Sequence, residues 1–339
     1  MSHKVNHDKK IAAVAVLAGG LTASLFACTH MPAPMQGLAH PNLAGVPVAV
    51  AGGAFHRLWY DGNAELSGYR VTTPRYGEAR SGEMALIYVT EPMNRRTWVK
   101  DDDAAPRERV NVLKLNQSFG FLAGIYPYSV MTSVFAPIDD WGGERFAPVK
   151  ITITVQEWCG HVFQALWPGR GVLEAQIASY FASEGEARTE TPVPVGTLYE
   201  DALLIQLREL DGPFAGGGDW TGSMVPSLWR VRRQHAPVAP VAATIRRSLH
   251  GEGDKAVTRF VLEAGNYQRT FDIEIAAPRR VLGWTTSDGE EVRLRATTRL
   301  PYWTLNHRGD ERYRDQMGIG SGTPALLPAP ASGTTKVGF

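Results

Sequence analysis

One stretch of the chain combines a thiol, an imidazole and a carboxylate. Positions 157, 159 and 161 are Glu, Cys and His. Residues two apart on a β-strand share a face and lie about 6.6 Å apart along it, so Cys159 and His161 are expected to project side by side. A base next to a thiol generates the thiolate that attacks in cysteine catalysis. With Glu157 orienting one partner, the three residues predict a cysteine-dependent hydrolase or transferase as one hypothesis.

A structural role is the alternative for the same residues. Four β-branched residues precede them on one face: Val149, Ile151, Ile153 and Val155. Continuing this alternation puts positions 157, 159 and 161 on the buried face, and free cysteines are commonly buried as small hydrophobes. We therefore expect Cys159 to be buried and chemically quiet, although Gly160 indicates a bend that would break the register. A Cys-x-His pair lacks the further ligands of a zinc site, and we predict neither metal nor cofactor.

Alternation with a period of two dominates the elements that would carry these residues. It predicts strands near 64–73, 83–91, 110–121, 125–136, 149–158 and 161–167, and an up-and-down meander over 241–305. In the meander, Phe271 and Ile273 share one face, while Asp272 and Glu274 share the other. One buried face and one wet face are typical of antiparallel strands.

A single helix is predicted over about 197–210. It begins at Thr197-Leu-Tyr-Glu200, which matches a capping box, and ends before Asp-Gly-Pro at 211–213. One helix among many short strands predicts a mainly β fold, a large curved antiparallel sheet or open half-barrel with the helix packed on it. We expect this β-rich domain to span 54–317, with two sub-sheets that could meet near 168–240.

The N-terminal region predicts export. Lys9 and Lys10 precede a short uncharged apolar run, and Leu-Phe-Ala-Cys at 25–28 resembles a bacterial lipobox, from which Phe26 departs. We expect 1–27 to be a lipoprotein signal, Cys28 to be acylated, 28–53 to be a flexible tether and 318–339 to be a disordered tail. Ordinary secretion is the alternative; a membrane-spanning anchor is disfavoured because the run is marginal in length.

Composition excludes other classes. The net charge of the chain is +1, and removal of the signal leaves it close to neutral, so no basic surface is predicted for nucleic acid. The two cysteines are Cys28 and Cys159. Acylation of the first would leave the second without a disulfide partner.

Several short blocks carry a resemblance to a known family. They lie at 88–92 (Tyr-Val-Thr-Glu-Pro), 124–128, 154–161, 283–284 and 301–303. Together they resemble exported bacterial proteins and lipoproteins that are often labelled septum formation inhibitor Maf; the resemblance implies export and no particular activity. Maf pyrophosphatases carry a Ser-Pro-Arg-Arg type motif near the N-terminus. Here Ala-Pro-Arg-Arg at 277–280 lies late in the chain, at a predicted hairpin bend, so we expect no such activity.

These observations favour an envelope lipoprotein, lipid-anchored to a membrane at Cys28 and non-enzymatic. A sheet with one apolar face encloses a concavity, and apolar concavities are common ligand sites. We therefore expect an apolar or lipid-like ligand, or a partner protein, in the concavity. A cysteine enzyme using Cys159 and His161 and a purely structural role are the alternatives.

Overall fold

Consecutive hairpins with alternating burial build one large sheet in the computed structural model of the protein. The structure describes residues 53–138, 146–210 and 219–320, which belong to a single compact unit, Gln36–Phe339. The predicted signal, Cys28 and most of the tether lie outside the described residues, as do positions 321–339 of the predicted tail.

The strands of the N-terminal half are long. They are β1 Ala64–Arg75, β2 Glu78–Asn94, β3 Val99–Lys100, β4 Arg109–Ala123, β5 Tyr126–Pro137, β6 Lys150–Glu157, β7 Gly160–Pro168, β8 Val172–Ser179 and β9 Glu186–Pro192. The later strands are β10 Leu198–Tyr199, β11 Trp220–Val225, β12 Val241–His250, β13 Val257–Ala264, β14 Tyr267–Glu274, β15 Val281–Thr286 and β16 Glu291–Leu300.

The helices are short. They are α1 Gly53–Trp59, α2 Leu203–Glu209 and α3 Leu228–Gln234, with 3₁₀ turns at Glu200–Ala202, Gly253–Lys255, Tyr302–Thr304 and Asp310–Met317.

The sheet is open and almost entirely antiparallel. Its order is β10-β11-β12-β13-β14-β15-β16-β1-β2-β4-β5-β6-β7-β8-β9, with β3 paired to β2; β10 and β11 pair in parallel. Residues 193–197 join β9 to β10, the two ends of this order. The predicted fold class is confirmed, since 55% of the structure is strand and 15% helical. The predicted meander over 241–305 is present as β12 to β16.

The predicted helix is shorter than expected, and it is not the only one among the described residues. Positions 198–199 form β10, and the α-helical part spans 203–209. Thr197 does not cap it, because its hydroxyl donates to the carbonyl of Pro194 at 2.6 Å. The Glu200 carboxylate instead accepts bonds from the N–H of Ser227 and from Arg269. In the predicted capping box, Thr197 therefore bonds to a nearby carbonyl and Glu200 makes tertiary contacts.

Helix α2 fills the interior of the sheet. All residues from Leu203 to Arg208 are buried, as expected for a helix surrounded by core on every side. The Tyr88 hydroxyl of β2 donates to the Leu204 carbonyl at 3.0 Å, and Gln206 donates to the Phe146 carbonyl at 3.3 Å. Helix α2 thus packs on the apolar side of the sheet, where the ligand was expected.

The opposite face of the central strands is covered by the segment that follows β16. Met317 and Ile319 pack with Ala64, Leu66 and Val89. A Cβ on Gly68 would come within 2.0 Å of the Met317 carbonyl oxygen, so glycine is required for this close approach. The Gly320 N–H donates to Glu83, which means that ordered packing continues beyond residue 318, where the tail was expected to begin.

Hairpin turns gather at one end of the sheet. The turns after β1, β4, β6 and β8 lie at this end, as do those after β13 and β15. Helix α3 follows β11 at the same end. Its Arg233 donates to Asp288 in the β15–β16 turn at 2.8 Å, and Arg232 pairs with Glu184 in the β8–β9 turn. Helix α3 therefore bridges hairpins from both halves of the sheet.

Candidate functional site

Cys159 is exposed, so the expectation that it is buried was wrong. Strand β6 ends at Glu157, which pairs with Gly160 across a two-residue turn made of Trp158 and Cys159. The alternation of 149–155 therefore stops two residues before the thiol. Gly160 permits this arrangement because a Cβ there would lie 2.6 Å from the Tyr180 ring.

His161 and Cys159 have different surroundings. His161 pairs with Gln156 on the neighbouring strand and is exposed, whereas Cys159 and Glu157 line a cleft to which His161 does not contribute. The imidazole that does line this cleft belongs to His235, at the end of α3.

The environment of Cys159 keeps the thiol protonated. The Glu157 carboxylate accepts the Cys159 N–H at 2.7 Å. A hydrogen bond to the same carboxylate is the largest influence on the thiol and raises its pKa above the ordinary value, and the charge of Glu157 acts in the same direction. A raised pKa lowers the fraction of thiolate at neutral pH, which disfavours nucleophilic catalysis.

The cleft lies beside α3, at the end of the sheet where the hairpin turns gather. We call it the α3 cleft; its volume is about 150 Å³. Residues that line it include Arg75, Tyr76, Tyr128, Cys159, Trp229 and His235. An apolar space of this size holds about one aromatic ring, so the α3 cleft can take a ring or a short acyl group but not a whole lipid.

Arg75, Tyr76 and Tyr128 form one hydrogen-bonded cluster in the α3 cleft. The two tyrosine hydroxyls lie 2.7 Å apart. Arg75 donates to the Tyr128 hydroxyl from Nε at 3.2 Å and to the Tyr76 hydroxyl at 3.3 Å. Its guanidinium also stacks 4.3 Å from the centre of the Tyr76 ring. These contacts fix the guanidinium in one orientation.

Two of the residues in the α3 cleft hold left-handed backbone conformations. Tyr76 has φ of 56° and His235 has φ of 50°. Tyr76 and Gly77 form the two-residue turn between β1 and β2, both with positive φ, as in a type I′ turn, which favours Asn-Gly. A bulky residue there costs free energy, and such strain concentrates at functional sites. The strained conformation of Tyr76 brings its hydroxyl within hydrogen-bond distance of the Tyr128 hydroxyl.

Glu184 contacts the other basic side chains of the α3 cleft. It pairs with Arg232 and accepts a hydrogen bond from His235 Nδ1 at 2.8 Å. The Ser179 hydroxyl donates to it as well. Partial burial acts to raise the pKa of Glu184, but the hydrogen bonds from Arg232, Ser179 and His235 outweigh it and lower the pKa to about 2. Glu184 is therefore ionised at neutral pH.

A second, wider depression lies on the other side of α3. Its volume is about 640 Å³, and its lining includes Arg230, Gln234, Asn266 and Ser287. The Arg230 guanidinium stacks 3.8 Å from the centre of the Tyr267 ring. The lining of this depression is about equally polar and apolar, whereas the lining of the α3 cleft is mostly apolar.

The described residues offer neither a metal-binding cluster nor a membrane-spanning helix. No group of three or more His, Cys, Asp or Glu in the described ranges could hold a metal ion. Within those ranges, none of the helices has the length and apolarity needed to cross a bilayer. Comparison with protein-family models, with curated proteins and with solved structures gives no match.

Sequence reasoning selected Glu157 and Cys159 but missed Arg75, Tyr76, Tyr128 and His235. The predicted strands at 64–73 and 83–91 left position 76 in a connection, with no reason to single it out. Tyr-Gly between two alternating runs was a usable turn signal, since both positions of a two-residue hairpin loop need positive φ. Tyr128 and His235 both reach the α3 cleft through packing between residues far apart in the chain. No local sequence pattern contains this information.

Proposed function

We propose that this protein is a non-enzymatic lipoprotein of the cell envelope that binds an apolar or lipid-like ligand, and that the α3 cleft receives part of that ligand. The α3 cleft carries the proposal because it combines an apolar, ring-sized space with polar groups held in fixed positions. A few oriented polar groups on apolar walls are typical of ligand sites.

The size of the α3 cleft limits how the ligand would bind. A volume of about 150 Å³ accommodates one ring or the end of an acyl chain, while the remainder of a larger ligand stays outside. Exposed aromatic residues on neighbouring turns could contact that remainder, since Trp158 is 68% and Tyr180 72% exposed. Exposed apolar side chains mark a binding surface where they form a contiguous patch.

Binding can be tested by filling the α3 cleft. Cys159→Phe would place a ring into it from an exposed turn, where a larger side chain is tolerated. We expect the variant to lose binding of benzyl alcohol, followed by ligand-observed NMR, while it keeps the wild-type unfolding midpoint. Leu249→Phe, at an exposed position of β12, is the matched control. If neither the wild-type protein nor the Leu249→Phe control binds benzyl alcohol, the assignment of a ligand site to the α3 cleft is wrong.

The natural ligand and the location need separate experiments. Native mass spectrometry of gently purified protein should show a bound mass that Cys159→Phe lacks. Cys28→Ser should release the protein from membranes into the soluble exported fraction. Wild-type protein found in the cytosol with Met1 intact would contradict the envelope location without bearing on the α3 cleft.

A further inference from the structure

The basic side chains that line the α3 cleft differ in whether they contact a carboxylate. Arg232 and His235 both contact the Glu184 carboxylate. Arg75 contacts no carboxylate within ion-pair distance among the described residues; its partners are the hydroxyls of Tyr76 and Tyr128 and the Arg233 carbonyl. A half-buried guanidinium that is held only by neutral acceptors leaves a positive charge without a counter-charge.

The guanidinium of Arg75 has donors to spare. It carries five N–H groups in a planar fork, and its three hydrogen bonds use one each on Nε, NH1 and NH2. Two N–H groups on the terminal nitrogens therefore remain without a protein acceptor. The fork geometry matches the two oxygens of a carboxylate. Stacking on Tyr76 at 4.3 Å and proximity to the Tyr128 ring at 5.4 Å hold the fork in place before any ligand arrives.

We infer that the α3 cleft binds a small organic monocarboxylic acid, with its carboxylate on Arg75 and its ring or short chain against the apolar lining. This inference rests on the proposed ligand-binding function. Val155, Val162 and Trp229 supply the apolar lining, and all three are buried.

Glu157 restricts the charge of the ligand. Its carboxylate also lines the α3 cleft and is held in place by the Cys159 N–H. A second acidic group on the ligand would approach this fixed negative charge, and like charges disfavour binding. The α3 cleft should therefore prefer a monocarboxylate to a dicarboxylate of similar size.

The experiment compares benzoate, phthalate and benzyl alcohol as probes of the full-length protein. Dissociation constants come from ligand-observed NMR, and protection of Cys159 from iodoacetamide reports occupancy of the α3 cleft itself. Because a charge-assisted bidentate hydrogen bond is strong, benzoate should bind about tenfold or more tightly than benzyl alcohol. Phthalate should bind more weakly than benzoate.

Variants at Arg75 test whether this side chain causes the preference for benzoate over benzyl alcohol. Arg75→Met should bind benzoate and benzyl alcohol equally, and Arg75→Lys, which keeps the charge but not the fork, should show an intermediate preference. Arg188→Met, at an exposed position of β9, should behave as wild type. Unfolding midpoints of all variants establish that they are folded.

The outcomes separate this inference from the function on which it rests. If benzyl alcohol and benzoate bind the wild type equally and both protect Cys159, the α3 cleft is an apolar site and the acid inference is wrong. An undiminished benzoate preference in a folded Arg75→Met variant overturns it as well. If no probe binds or protects Cys159, the proposed function of the α3 cleft fails, and the acid inference fails with it.

Discussion

Arg208 of helix α2 donates to both carboxylate oxygens of Glu65 in β1, at 2.7 and 3.1 Å. The side chains are 0% and 1% exposed, so this ion pair lies entirely in the core. Arg208 also donates to the Pro278 carbonyl at 3.0 Å. These bonds therefore fix the position of α2 relative to β1 and to the connection between β14 and β15.

Breaking this pair should destabilise the fold strongly. Glu65→Gln leaves the buried Arg208 guanidinium with Glu209, 3.4 Å from its Nε, as its ion-pair partner, and removing one partner of a buried pair typically costs about 3 kcal/mol. The free energy of unfolding from urea titration would measure it. Glu291→Gln is the control, because its partner Arg293 and Glu291 itself are 54% and 53% exposed, and exposed pairs contribute below about 1 kcal/mol. Similar costs for the two variants would contradict the buried pairing.

Asp201 should make stability depend on pH. Burial raises its pKa from 3.8 to about 6, although the Leu228 N–H, which donates to it at 2.9 Å, lowers the pKa in part. Between pH 4 and 6 the folded state keeps a proton that the unfolded state has lost. The stability contribution of Asp201 is thus highest below pH 4 and falls as the pH rises to 6.

The variant Asp201→Asn isolates this effect. A pKa difference of about two units corresponds to about 3 kcal/mol, so the variant should gain about that much over wild type between pH 4 and pH 7 in urea unfolding. Asp254→Asn, at an exposed position, should show a difference that does not change with pH. A flat difference for Asp201→Asn would mean that the carboxyl is not buried as described.

Tyr76 should trade stability for binding. Tyr76→Asn creates Asn-Gly, the preferred pair for a type I′ turn, and relieves a strained conformation worth about 1 kcal/mol or more. Little packing is lost, because Tyr76 is 58% exposed. Thermal unfolding should show unchanged or raised stability, by up to about 1 kcal/mol, while benzoate binding weakens. A loss above about 2 kcal/mol would show that Tyr76 is structural.

The parts of the fold that the sequence predicted are those that local pattern determines. Hairpins pair residues close in the chain, so alternation and turn letters were sufficient for β12 to β16, and Ile273 is 1% exposed as its face required. Glu274, expected to face water, is only partly exposed and bonds to Arg280. The local pattern therefore predicted the face of the sheet on which each side chain lies, but not the residues that it contacts.

The parts that failed depend on distant contacts. Arg208 in the last turn of α2 predicts a wet face, but it is buried because it pairs with Glu65, 143 positions away, and with the adjacent Glu209. The turn at Trp158 and Cys159 depends on where β7 pairs with β6, which alternation within 149–155 cannot reveal. The cluster of Arg75, Tyr76 and Tyr128 joins two hairpins, and its two tyrosines lie 52 positions apart in the chain. It forms only when the sheet assembles, so no local sequence pattern predicts it.

Cys159 should be accessible yet slow to react. Iodoacetamide labelling of the native protein should proceed without unfolding, because the thiol is exposed. The rate at pH 7.5 should nevertheless lie below that of a free cysteine, since Glu157 raises the thiol pKa and only the thiolate attacks. Glu157→Gln removes the negative charge and should accelerate labelling several-fold, whereas Glu186→Gln, exposed on β9, should not.

His161→Ala should leave the labelling rate of Cys159 unchanged, because His161 does not line the α3 cleft. If native labelling of the wild type were instead fast and His161→Ala slowed it, the thiol would be activated by that imidazole, and the cysteine-enzyme hypothesis would replace the binding function proposed for the α3 cleft.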